Sequence, residues 1–127
     1  MARVLIVDDE ENQRRTLSIG LKLEGFDVVL AGSSQEALRI LAAASPQVDF
    51  ALIDLMMPGL NGLELARQMR SLYPSVRVIL SSAYHLSARQ VERADCGAIG
   101  FVPKPYRLAE LSSFLRAKAK SAFPASA

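Results

Sequence analysis

FALIDLMMPGLNG, running from Phe50 to Gly62, is the stretch whose reading decides the fold. Phe50, Ala51, Leu52, Ile53 and Leu55 are apolar and surround one carboxylate, Asp54. A short apolar run closed by Pro58 and Gly59 predicts a buried parallel strand followed by a turn. Taken alone, Asp54 would read as a turn or cap aspartate. Yet charged side chains are seldom buried without a partner, and open α/β sheets bind ligands at the carboxyl ends of their strands. Asp54 is therefore expected at the rim of a sheet, facing a site.

Upstream, Arg3 to Val7 forms another short apolar run and ends in Asp8, Asp9, Glu10 and Glu11. Glu10 and Glu11 suit the start of a helix, where carboxylates complement the dipole. Asp8 and Asp9 continue directly from the strand. Asn12 to Glu24 carries Leu17, Gly20 and Leu21 at helical spacing, and Gly25 stops that helix. Phe26 to Ala31 is a second strand. Ser33 and Glu36 have capping-box spacing and open a helix with Ala37, Leu38 and Leu41 inward. Val48 to Ile53 is the third strand.

Downstream, Asn61 caps a helix with Leu65, Met69 and Leu72 on one face, and Pro74 stops it. Val76 to Leu80 is a fourth strand, followed by Ser81, Ser82 and Ala83. Leu86 to Ala94 is a polar, weak helix. Ala98 to Val102 is a fifth strand, ending in Pro103, Lys104 and Pro105. Leu108 to Lys120 is a last helix with Leu108, Leu111 and Leu115 as its stripe. Alternating strands and helices predict an α/β fold, a doubly wound parallel sheet with five strands and five helices. Residues 1–120 form one domain, and 121–127 are a flexible tail or the start of a linker.

Composition narrows the function. The 127 residues are half hydrophobic, with a net charge of +2, too small to imply a nucleic-acid surface. One cysteine, Cys96, excludes an internal disulfide, and one histidine, His85, excludes a His-rich metal site. No signal peptide and no apolar run of ~18 residues is present, so a cytoplasmic location without membrane contact is expected.

At the strand ends the topology collects Asp8, Asp9, Asp54, Ser81, Ser82 and Lys104. Clustered carboxylates call for a hard divalent cation. Mg²⁺ takes oxygen ligands of this kind, one or two carboxylates plus phosphate oxygens and water; Mn²⁺ is a substitute. Mg²⁺ with a lysine and a hydroxyl is equipment for phosphoryl transfer. In that reading Asp54 attacks phosphorus and becomes an acyl phosphate, Asp9 holds the metal with Asp8 acting through water, Lys104 neutralises a phosphoryl oxygen and Ser82 donates a hydrogen bond.

With VLIVDDE, DLMMPGLNG, ILSSAY and GFVPKP in this order, the chain resembles the receiver domain of bacterial two-component response regulators from about Arg3 to Lys120. The resemblance implies a flavodoxin-like sheet in the order 2-1-3-4-5. It implies a phosphoacceptor at Asp54 that is also a metal ligand, an acidic metal pair at Asp8 and Asp9, and the backbone carbonyl of Met56 as a further metal ligand. Lys104 becomes the phosphate-contacting lysine, Ser82 the switch hydroxyl and Phe101 the switch aromatic. Met56 and Tyr84 fall where relatives tune phosphoryl lifetime. Serine at 82 and phenylalanine at 101 stand where threonine and tyrosine are commoner in the family.

The expected partners are a sensor histidine kinase or phosphotransfer protein, and an output domain, protein partner or second copy docking on the fourth helix, fifth strand and fifth helix, Leu86 to Arg116. The domain would be a self-phosphorylating and self-dephosphorylating switch rather than a turnover enzyme. Three rivals stand beside this reading. An aspartyl-phosphate phosphatase would place Asp-x-Asp on the first strand, where this chain has Asp8-Asp9-Glu10. A flavin module would need a phosphate loop where four acids stand. A degenerate receiver would bind partners without phosphorylation.

Overall fold

A computed structural model describes residues 2–43, 48–55, 62–82, 100–103 and 107–120, with Ser82, 100–103 and 119–120 as backbone. The elements are β1 (Arg3–Val7), α1 (Glu11–Leu23), β2 (Asp27–Ala31), α2 (Ser34–Ala43), β3 (Phe50–Asp54), α3 (Gly62–Leu72), β4 (Arg77–Ser82), β5 (Gly100–Pro103) and a C-terminal helix (Leu108–Lys120). The strands form one sheet in the order β2-β1-β3-β4-β5, and every pairing is parallel. The predicted helix over Leu86 to Ala94 and the Asn61 cap lie outside the described residues.

Alternation along the strands divides the core in two. Leu5, Val7, Ala51, Ile53, Val78 and Leu80 face α2 and α3, where they meet Ala37, Leu41, Leu65, Ala66 and Met69. Val4, Ile6, Phe50, Leu52 and Ile79 face the opposite side, against Leu21 of α1 and Leu111 and Leu115 of the C-terminal helix. Burying each leucine stabilises the fold by about 1.5–3 kcal/mol relative to exposure. The chain leaves β1 for β2 on one side and later enters β3 on the other. The sheet thus reverses its winding between β1 and β3, and the crevice there is the expected site.

The glycine stop after α1 is a Schellman motif. Gly25 takes φ +95°. Its N–H donates to Lys22 O at 3.1 Å, and the Phe26 N–H donates to Leu21 O at 3.0 Å. The capping box before α2 is half as expected. The Glu36 N–H donates to Ser33 Oγ at 3.1 Å, but the Glu36 carboxylate accepts from the Gly32 N–H at 2.6 Å rather than from Ser33. Leu72 also departs from its expected inward face and is 61% exposed. It is the last residue of α3, and the chain then turns so that Tyr73 and Val76 pack against the core in its place. The third and fourth strands begin later than expected, and β4 and β5 run on to Ser82 and Pro103.

Candidate functional site

Three adjacent strands deliver the site. β1 pairs with β3 as far as Val7 against Ile53, so Asp8 follows β1 beside Asp54. β3 pairs with β4 as far as Asp54 against Ser81. Asp8, Asp54 and Ser81 each come two residues after Ile6, Leu52 and Ile79, which share the core face toward α1 and the C-terminal helix. The period of two therefore sets all three side chains on that face at the carboxyl rim.

Asp8 is 3% exposed and Asp54 7%, whereas Asp9 is exposed. The turn after β1 is tied down. The Asp8 N–H continues the ladder to Ala31 O at 3.1 Å, and Asp8 Oδ1 accepts the Glu10 N–H at 2.9 Å. The Arg14 guanidinium donates from α1 to Asp8 O at 2.6 Å. Beyond Asp54, the Leu55 N–H donates to Ser81 O at 2.9 Å. Gly62, the first residue of α3, packs against the end of β3 so closely that a Cβ there would lie 2.8 Å from Asp54 O and 2.9 Å from Leu55 Cα. No larger residue fits without moving the strand end that carries Asp54.

Oxygen atoms of Asp8, Asp9 and Asp54 lie within 4.8 Å of one another. Two unit charges ~4 Å apart repel by on the order of 4 kcal/mol at the effective dielectric near a protein surface. An all-oxygen donor set of this density suits a hard cation such as Mg²⁺, and no sulfur or imidazole joins it among the described residues, which disfavours a transition metal.

The structure thus brings together Asp8, Asp9 and Asp54. Ser82 is placed as backbone at the end of β4, opposite Pro103 of β5, and Phe101 as backbone opposite Leu80. Met56, Tyr84 and Lys104 lie outside the described residues. Two contributors escape a reading of residue types alone. Gly62 closes the FALIDLMMPGLNG segment, but its role depends on how closely α3 meets β3. Ser81 is passed over for Ser82, yet its Oγ is buried beside Asp54 and has no hydrogen-bond partner.

A family model for the response regulator receiver domain matches residues 4–116. Regulatory protein AtoC of Escherichia coli strain K12 is 41% identical over 110 residues, covering 87% of this chain and 23% of AtoC. Response regulator MprA of Mycolicibacterium vanbaalenii is 36% identical over 122 residues, covering 96% of this chain and 52% of MprA. The chain spans about half the length of MprA and about a quarter of AtoC. Among solved structures, the CheY-like receiver domain protein of Methanospirillum hungatei JF-1 superposes with TM-score 0.86 at 26% identity, over 95% of each chain. Response regulator TrrA of Thermotoga maritima, in complex with Mg²⁺-BeF, superposes with TM-score 0.80 at 32% identity, over 92% of this chain and 98% of that one.

Proposed function

The chain belongs to the response regulator receiver domain family of two-component systems, and from that membership we propose that Asp54 is its phosphoacceptor. The observation that carries this reading is the gathering of Asp8, Asp9 and Asp54 within 4.8 Å at the crevice where the sheet reverses. One oxygen of the Asp54 carboxylate attacks phosphorus. The O–P bond forms as the N–P bond of a phosphohistidine breaks, and the departing imidazole takes up a proton. The donor is a histidine kinase or phosphotransfer protein.

Asp8, Asp9, the Asp54 carboxylate and the backbone carbonyl of Met56 would hold Mg²⁺. The cation, when bound, neutralises charge on the transferring group. Lys104 pairs with one phosphoryl oxygen and Ser82 donates to another. The phosphoryl group then favours one of two arrangements of the segment after Ser82 and of Phe101. This alters the face formed by the 86–94 segment, β5 and the C-terminal helix, which an output domain, a separate partner or a second copy reads. Met56 and Tyr84 are bulky and provide no strong base, so they hinder the hydrolytic water and lengthen the life of the phosphoform.

The test is intact mass after incubation with Mg²⁺ and acetyl phosphate, for wild type and Asp54→Asn. A single phosphoryl adduct that needs Mg²⁺, is labile to hydroxylamine and is lost in the variant is expected. A folded wild type that takes no adduct, even with a kinase, would favour phosphorylation-independent binding.

A further inference from the structure

Ser81 is 1% exposed, and its Oγ is the one buried side-chain polar atom among the described residues that lacks a hydrogen-bond partner. It lines a narrow gap with Ile6, Leu17, Leu52, Asp8 and Asp54. That gap has no room for a water molecule, so solvent does not satisfy the hydroxyl. Buried hydroxyls are normally paired, and one held without a partner calls for a reason.

Among the described residues, only Asp8 and Asp54 bring side-chain acceptors to this gap. β3 lies between β1 and β4, so Asp54 is on the strand next to Ser81 and Asp8 is one strand further away. Neighbouring strands are spaced about 4.8 Å apart, which puts Asp8 roughly twice that distance across the sheet. Asp54 and Ser81 are direct register partners on one face. A serine hydroxyl samples three staggered positions by rotation about one bond, and an ionised carboxylate offers about four lone-pair sites.

We infer that Ser81 is a positioning residue for Asp54: its hydroxyl donates to the carboxylate from within the sheet and restricts its rotation as phosphorus is attacked. This role differs from that of Ser82, which meets the phosphoryl group itself, and it rests on the reading of Asp54 as phosphoacceptor.

The test compares wild type, Ser81→Ala and Ser81→Thr in three measurements. The first is the phosphorylation rate at saturating Mg²⁺ and acetyl phosphate. The second is Mg²⁺ affinity by calorimetry. The third is the Asp54 carboxyl carbon resonance in protein labelled at aspartate carboxyls, assigned with Asp54→Asn. Loss of a hydrogen bond to a charged group predicts about tenfold slower phosphorylation in Ser81→Ala. Mg²⁺ affinity stays within about twofold of wild type on the same argument, since no ligand is removed. The Asp54 resonance moves in Ser81→Ala, and Ser81→Thr restores both rate and resonance. An unmoved resonance with an unchanged rate would overturn the proposal and leave Ser81 a buried defect. If wild type takes no phosphoryl group but the resonance still moves and Thr restores it, the positioning contact stands and the phosphoacceptor reading falls.

Discussion

At the amino ends of the strands, charges of opposite sign meet; at the carboxyl ends, three carboxylates gather among the described residues. Arg3 opens β1 and donates from Nε to Asp27 Oδ2 at 2.6 Å, while its backbone N–H donates to Asp49 Oδ2 at 2.8 Å. Arg77 opens β4 and lies over the Phe50 ring, 5.9 Å from its centroid. Each contact ties neighbouring strands together. At the other rim Asp8, Asp9 and Asp54 crowd within 4.8 Å. The same sheet has one end tied by opposite charges and one where three carboxylates are brought together. Strand geometry demands neither arrangement, so the crowded end points to function.

The largest expected effect strikes the crowded rim. Asp54→Asn abolishes phosphoryl uptake while circular dichroism stays that of the folded protein, because the amide keeps the shape and loses the nucleophile. Gly62→Ala comes next. Its Cβ would meet backbone at 2.8 Å, and the resulting shift costs about 1–3 kcal/mol in urea denaturation. Phosphorylation slows with it, because the displaced backbone is that of Asp54.

Asp9→Asn weakens Mg²⁺ binding by about tenfold in calorimetry, equivalent to about 1.4 kcal/mol. Its effect on the fold is small, since Asp9 is exposed. Arg3→Ala sharpens the contrast from the opposite end. It lowers stability by about 1 kcal/mol, the upper range for a partly exposed ion pair, and leaves the phosphorylation rate at wild type. Met56→Asn is the mildest change: it shortens the life of the phosphoform by about threefold, a loss of well under 1 kcal/mol in barrier, followed by adduct decay.

Much of this was legible in the residues. Apolar runs of four to six residues between helical patterns fix a parallel sheet, and the acids ending two of those runs mark the rim. Asp8, Asp9 and Asp54 are therefore brought together by the residues alone. What could not be read depends on register and approach. β4 carries Ser81 as a paired residue opposite Asp54, and a boundary one or two residues off decides whether a hydroxyl lies in the sheet or in a loop. Leu72 has the correct helical spacing, yet α3 ends there and the chain turns away. Gly62 is a plain glycine until α3 is seen resting on the end of β3. Periodicity reports which face a residue occupies; it does not report how closely two elements meet.

The measurement that bears most directly on the central claim is borohydride trapping of the phosphorylated protein, followed by peptide mass spectrometry. Borohydride reduces an aspartyl phosphate to homoserine and so marks the modified residue. Homoserine at position 54 alone, dependent on Mg²⁺ and phosphodonor, is the predicted result. Homoserine at position 8 or 9, or a phosphoryl adduct that borohydride leaves untouched, would contradict the assignment of Asp54.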